Sequence, residues 1–248
     1  MRLRGQEPDY SADHSRSVNI ERAAGVLCIV LPLAFNAFFF LLGRRFDYPD
    51  ILRRPTDEIL DRFRAGGVTL KLLWYGLMLT AVLLAPLAVL LGQVLARDGL
   101  EIVPVATTIG VLAGVVQFLG LARWPFLVPE LARAYADPTS SQAAREATTV
   151  AFESFHRYLG VGIGECLGYL LTGAWTVLVA VAMLQSSAFE GWLAWPGIVI
   201  GMCLILGSLE FVGPFEEQGW KLAGAIVPIA YVAWSLWLII VGLVLLVG

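Results

Sequence analysis

The sequence predicts an all-α membrane protein: a bundle of six transmembrane helices, with short interfacial helices in its two longest connecting loops. Three observations support this class: the composition, six long apolar stretches, and the charged or aromatic residues that bound them. Of the 248 residues, 58% are hydrophobic and only 15% are charged. A soluble domain carries about 25% charged residues, so most of this chain suits a medium without water.

Each apolar stretch is long enough to cross a bilayer, which takes about 20 residues of α-helix. Arg, Lys or Trp residues stand near the ends of most of them, as is typical at the level of the lipid headgroups. The first span should remain in the mature chain, because Arg44 and Arg45 follow it where a signal peptide needs small residues. We predict a polar tail over residues 1–22 and one domain over 23–248, with spans at 23–43, 68–91, 102–122, 158–184, 192–212 and 222–247.

Lys and Arg residues are divided unequally between the two sides of the predicted bundle. The loops over 44–67, 123–157 and 213–221, with Lys71 beside them, carry twelve, and the other side carries five. Because cytoplasmic loops are enriched in Lys and Arg, the twelve-charge side, called the basic side below, is expected in the cytoplasm of a cell with an inner membrane. Both termini are then expected outside. Four arginines in the tail act against this orientation, since they could hold the tail inside.

The first long basic-side loop contains the pattern of a short helix. Thr56 is placed to cap it, Asp57 and Glu58 fall in its first turn, and Gly66 is placed to end it. Its apolar residues share one face, as an interfacial helix requires. They are Ile59, Leu60 and Phe63.

The second long basic-side loop predicts a helix that is capped within residues 139–141 and continues into the fourth span. In it, Glu153 and His156 have the E-x-x-H spacing of di-iron carboxylate bundles. Such sites need two of these motifs and two further glutamates, and the chain has one motif. The favoured interpretation is therefore solvated charges on an interfacial helix, with no metal.

Composition and motifs exclude several classes of function. A net charge of −3 gives no electrostatic basis for nucleic-acid binding. The three cysteines lie in apolar runs without a CxxC pair, which is typical of packing residues and not of a zinc site or disulfide framework. Of the two histidines, His14 is in the polar tail, which argues against a bis-histidine haem. GxSxG, HExxH and P-loop motifs do not occur, so no cofactor is predicted.

The stretch YLGVGIGECLGYLL, residues 158–171, places Glu165 inside the fourth span. At 1.5 Å per residue, its position is roughly 10 Å below the basic-side interface, in hydrocarbon. A charged residue at a helix centre costs about 2.5 to 3.5 kcal/mol on insertion scales. Glu165 must therefore be neutral, paired, or exposed to a wet cavity.

The helix around Glu165 predicts an inward-facing position. At about 100° per residue, polar residues form a stripe within an arc of about 60°: Tyr158, Glu165, Tyr169, Thr172 and Thr176. Beside it runs a stripe of small residues at four-residue spacing, which permits close helix contact: Gly160, Gly164 and Gly168.

Polar residues of the other spans also lie toward the basic side, and together they predict one polar pocket. The candidate ligand-binding residues are Glu165, Arg123, Gln117, Asn36, Tyr169, Tyr231, Lys71 and Glu210. Arg123 is a candidate partner for Glu165 or for an anionic headgroup. Simpler explanations stay open: Lys71, Arg123 and Glu210 are close enough to the interface to snorkel. Asn36 and Gln117 could each hydrogen-bond a neighbouring helix.

Three stretches carry a family resemblance: GLARWPFLVPELARAYADP, FHRYLGVGIGECLGYLLTGAW and PIAYVAWSLWLIIVGLVLLV. They are similar to a bacterial multi-pass membrane family defined only as a domain of unknown function, over about residues 21–247. The resemblance implies a single bacterial membrane domain. It implies no activity, substrate or cofactor.

Three classes of function follow from the residues. The first is a transporter-like or sensor-like protein that binds a small molecule or lipid in the pocket around Glu165. The second is a structural or accessory subunit, in which Glu165 only ties helices together. The third and least favoured is an intramembrane enzyme with Glu165 as general acid or base. Expected partners are the bilayer, such a ligand, and a second copy or another membrane subunit.

Overall fold

The structure is a computed structural model that describes the backbone of residues 10–247 and the side chains of residues 17–247. In chain order, the α-helices are α1 (Tyr10–Phe46), α2 (Thr56–Ala65), α3 (Gly67–Leu95), α4 (Ile102–Phe126), α5 (Val128–Ala136), α6 (Gln142–Phe155), α7 (Gly168–Met183), α8 (Ala194–Gly207) and α9 (Lys221–Val247). A π-helical segment, His156–Leu167, joins α6 to α7. Within the described residues there is no strand, and the predicted all-α class is confirmed.

The long helices form a ring in which each packs on its neighbours in sequence. α1 contacts α3, α3 contacts α4, α4 contacts the π segment and α7, α7 contacts α8, α8 contacts α9, and α9 closes the ring against α1. Trp175, Trp234 and Trp237 fill its interior and are at most 3% exposed. The indole Nε1 of Trp234 donates to Thr176 Oγ1 at 3.0 Å. The only polar atom of the Trp234 side chain therefore has a hydrogen-bond partner within the bundle.

Within the residues that the structure describes, five helices are long and apolar enough to cross a membrane and one apolar helix is shorter, so the predicted count of six full-length spans is corrected. The shorter one covers Gly191–Gly207, whereas the prediction ran to residue 212. Ser208 directs its hydroxyl to the Ile205 carbonyl at 2.7 Å, and Gly213 adopts φ +61°, so the chain turns away. Glu210 therefore lies in the turn after α8 and not inside a span.

Contacts between loops fasten the end of the bundle opposite the basic side. The helix α1 extends outward into the predicted tail, where Arg97 pairs with Glu21 and donates to the Ser17 carbonyl. Asp98 accepts hydrogen bonds from Ser186 at 2.6 Å and from Ser187. The remainder of the predicted tail, residues 1–9, lies outside the described residues.

On the basic side, α2 occupies the first long loop and ends at Gly66 as predicted. The prediction that Thr56 caps this helix is wrong: Pro55 is the N-cap, and Thr56 donates its hydroxyl to Glu153 of α6 at 2.9 Å. Thr56 is already the first residue of the helix, and its hydroxyl bonds to another helix, a contact that local sequence cannot reveal. The predicted apolar face of α2 is confirmed as buried, and it packs in an aromatic-rich cluster with Phe46, Trp74, Trp124 and Phe152.

The helix predicted in the second long loop is confirmed as α6. Ser141 is its N-cap and accepts a hydrogen bond from the Ala144 amide at 3.2 Å. The chain then stays helical from Gln142 through the π segment to Met183, so the predicted continuation into the fourth span is confirmed.

The glycine stripe of the fourth span packs against α4. A Cβ added to Gly120 would lie 2.5 Å from the Gly164 Cα, so the two backbones are in direct contact. One turn to either side, Gly160 meets the Arg123 guanidinium and Gly168 meets the Gln117 side chain. The predicted close helix contact is confirmed, with α4 as the partner.

We expect Gly120→Ala to lower the melting temperature of the detergent-solubilised protein, because the added methyl group must push two backbones apart. Overpacking of this kind costs about 1 to 3 kcal/mol. The matched control is Gly162→Ala, whose Cβ would meet only the Arg157 carbonyl at 3.7 Å. The control should leave the melting temperature unchanged or slightly higher, since alanine favours a helix over glycine. Equal melting temperatures for both variants would contradict the contact.

Candidate functional site

Glu165 lies within the π segment, and this changes the faces that the sequence predicts. A π-helix bonds i to i+5, is rare, and occurs mostly as single turns at functional sites, whereas this segment runs for 12 residues. The predicted polar stripe assumed α-helical spacing throughout. Tyr158 does not share the buried face, since it is 66% exposed. Thr172 and Thr176, which lie in regular α-helix beyond the segment, are fully buried.

Glu165 lines an inner cavity of about 140 Å³ between the π segment and the turn after α8. Two other predicted site residues, Tyr169 and Glu210, also line it. The remaining walls come from Arg157, Val161, Gly162, Cys166, Gly207, Ser208, Phe211 and Val212. The cavity exists because α8 ends early, so that a turn and not a helix faces Glu165.

A larger cavity of about 860 Å³, here called the outer cavity, adjoins the inner one on the basic side. The two cavities have four lining residues in common: Arg157, Val161, Glu210 and Phe211. Arg53, Arg54 and Lys221 contribute positive charge to its wall, and Glu153 and Glu217 contribute negative charge. The inner cavity is therefore adjacent to a wide, polar space bounded by the basic-side loops.

The carboxylate of Glu165 forms no hydrogen bond and no ion pair with any residue in the described part of the chain. Its side chain is half-buried, so part of its surface faces the inner cavity. An intramembrane carboxylate normally has a partner or faces water. For Glu165 the cavity meets this requirement in place of a helix neighbour.

Arg123, the predicted partner of Glu165, contacts other groups instead. It is only 7% exposed and therefore does not snorkel. Its guanidinium donates to the Gly120 carbonyl, covers Gly160 and lies 5.3 Å from the ring centroid of Trp124. It makes no ion pair with Glu165 and lines neither cavity.

The two predicted amides tie helices together. Asn36 of α1 donates to Ser235 Oγ of α9 at 2.9 Å, and Gln117 of α4 donates to Thr172 Oγ1 of α7 at 2.8 Å. Both therefore serve the interhelical role that the sequence left open, and neither lines a cavity.

The last two predicted residues also lie away from the cavities. The ring of Tyr231 packs against Tyr169, with centroids 5.5 Å apart, and so supports a wall of the inner cavity from behind. Lys71 is half-buried near the start of α3 and lines neither cavity. Of the eight candidates, the structure brings Glu165, Tyr169 and Glu210 together around one space.

Arg157 is the main site residue that the sequence did not single out. It lines both cavities, and its Nη2 atom contacts Glu216 Oε1 at 2.8 Å and the Glu216 carbonyl at 2.6 Å. Its guanidinium also lies 5.7 Å from the ring centroid of Phe211. No spacing in the sequence relates residues 157, 211 and 216, because the turn after α8 alone brings them together.

His156 is a second cavity residue that the sequence did not predict as part of the site. It lines the outer cavity and stacks on Phe152 with ring centroids 5.7 Å apart. The sequence suggested it only through the E-x-x-H motif. Its motif partner, Glu153, lines the same cavity and accepts the Thr56 hydroxyl.

A family described as Domain of unknown function (DUF4386) matches residues 23–242. Searches of curated proteins and of solved structures found no match to the chain.

We expect Glu165→Leu to retain or raise the melting temperature, because removing a carboxylate without a partner leaves no donor unsatisfied. If Glu165 tied helices together as a structural subunit requires, Glu165→Leu would instead lower it. The control is Gln117→Leu, which breaks a bond between helices that is worth about 0.6 kcal/mol on average and should lower the melting temperature. Thermal unfolding followed by tryptophan fluorescence measures all three proteins.

Proposed function

Since the chain belongs to the DUF4386 family, whose function is unknown, we propose a function from its own geometry. The protein binds a small molecule or a lipid in the joined cavities beside Glu165, as a transporter or a sensor does. One observation carries the proposal: a half-buried carboxylate without a partner in the described chain lines a cavity that adjoins a larger polar one.

The sizes of the cavities support this function. Ligand sites commonly enclose about 300 to 1,000 Å³ and combine apolar walls with a few polar groups. The outer cavity, at about 860 Å³, falls in this range. The inner cavity, at about 140 Å³, suits one end of a ligand whose remainder occupies the outer space.

The position of the inner cavity supports entry from the lipid as well as from the basic side. Val212 lines it and is 43% exposed, and Gly162 in its wall is exposed too. These residues lie on the outer surface of the ring, where acyl chains would contact the protein. An amphiphile could thus place its polar end beside Glu165 while its chain stays in the bilayer.

To test the binding function, Val161→Trp places a large ring where the two cavities join, because Val161 lines both. Native mass spectrometry of the gently solubilised protein should show small molecules or lipids bound to the wild type and lost from Val161→Trp. Val199→Trp is the matched control, since Val199 is 62% exposed and lines neither cavity. Identical bound species in all three proteins, or none in the wild type, would contradict the proposal.

We further propose that the protein resides in a bacterial inner membrane with its basic side in the cytoplasm and both termini outside. The excess of Lys and Arg in the basic-side loops supports this orientation.

Alkaline phosphatase fused after residue 248 should be active in a bacterial host, and green fluorescent protein fused there should be dark, because the C-terminus is expected outside. Fusions after Asp137, in the second long basic-side loop, should give the opposite pattern. Enzyme activity and fluorescence per cell measure both, and a reversed result would overturn the orientation.

A further inference from the structure

We infer that the ligand carries a cationic ammonium group, which binds in the inner cavity between the carboxylates of Glu165 and Glu210. The inference rests on the proposed binding function and adds the chemical class of the ligand's polar end. It follows from the charges that face the cavity, from the aromatic rings in its walls, and from its size.

Two carboxylates line this space, and neither forms an ion pair within the described part of the chain. Glu165 lacks a partner in the described chain, as shown above. Glu210 also forms no ion pair with a described residue: its backbone carbonyl accepts from the Trp220 amide at 2.6 Å, and its carboxylate lies against Gly224. An anionic group would be repelled by both side chains, whereas a cation would be attracted to both.

The two arginines nearest the cavity are directed elsewhere. Arg157 lines the cavity, but its Nη2 atom is bonded to the carboxylate and the carbonyl of Glu216. Arg123 is bonded to the Gly120 carbonyl and does not line the cavity. The carboxylates of Glu165 and Glu210 are therefore the charged groups of this wall that have no counter-ion within the described residues.

The walls also suit an organic cation. Tyr169 and Phe211 present aromatic rings to the inner cavity, and aromatic faces attract ammonium groups, as in the cages that bind choline and methylated lysine. The Phe211 ring already has Arg157 beside it, at 5.7 Å from its centroid, so Tyr169 is the aromatic wall residue left to a ligand cation. The Ser208 hydroxyl and the apolar Val161 and Val212 complete a mixed surface.

The volume favours a small head. A protein cavity of about 150 Å³ can hold benzene, and the inner cavity, at about 140 Å³, is close to that size. A head of about four non-hydrogen atoms, such as a trimethylammonium group, fits this space. The rest of the ligand would extend past Val161 into the outer cavity.

Choline tests the inference on the full-length protein in a nonionic detergent. Its neutral isostere, 3,3-dimethylbutan-1-ol, replaces the ammonium nitrogen with carbon, and sodium chloride at equal concentration controls for ionic strength. Choline should raise the melting temperature in a dose-dependent manner. The isostere should need at least a tenfold higher concentration for the same shift, and sodium chloride should give none.

Two variants assign the effect to this cavity. Glu165→Gln should abolish the choline shift, and Glu210→Gln should reduce it, while each variant keeps a single unfolding transition of its own. Glu190→Gln is the matched control, because Glu190 is exposed in the loop before α8 and lines neither cavity; it should respond like the wild type.

The inference is overturned if choline gives no shift, if the isostere acts at the same concentration as choline, or if the choline shift survives both Glu165→Gln and Glu210→Gln. Its failure is distinguishable from failure of the proposed function. Bound species that Val161→Trp removes would uphold the function even when choline fails. If the proposed function itself is wrong, native mass spectrometry of the wild type will show no bound species.

Discussion

Two glycine backbones meet where α4 crosses the π segment, and the position of every nearby polar group depends on that contact. Because Gly120 and Gly164 allow the helices to touch, Arg123 reaches over Gly160 and Gln117 reaches Thr172. The positive charge of Arg123 is thereby held on the α4 side of the π segment. Glu165, on the same segment, is left to face the turn after α8. Arg123 bonds to a carbonyl of its own helix and makes no ion pair with Glu165.

The polar residues of the bundle fall into two groups with different physical roles. Amides, hydroxyls and indoles bond across the ring, as Asn36 with Ser235 and Trp234 with Thr176 illustrate. These groups find their partners on neighbouring helices and hold those helices together, because hydrocarbon offers no alternative partner. Glu165 and Glu210 instead line the inner cavity. The exposed fraction of a side chain alone would not separate the two groups. The presence or absence of a hydrogen-bond partner within the described residues does separate them.

Much of the fold was predictable because a bilayer restricts the choices of the chain. Span length, charged ends and the glycine stripe follow from hydrocarbon thickness and helix contact, and the cap at Ser141 follows from local chemistry. The π segment was not predictable, since apolar residues pack equally well in either helical register. The end of α8 was missed because Leu209, Phe211 and Val212 are as apolar as a span. For the site, Glu165, Tyr169 and Glu210 were predicted, whereas Arg157 depends on a contact with Glu216 across 59 residues of chain.

The short α8 has a consequence for the surrounding lipid. Its apolar stretch, Gly191–Gly207, spans about 25 Å at 1.5 Å per residue, whereas a typical hydrocarbon core is about 30 Å thick. A bilayer meets such a mismatch by thinning locally. The basic-side leaflet would therefore sink toward the turn after α8, and its headgroups would approach the mouth of the inner cavity. Membrane thickness would then govern how readily an amphiphile passes from the leaflet to Glu165, so bilayers with longer acyl chains would oppose that passage.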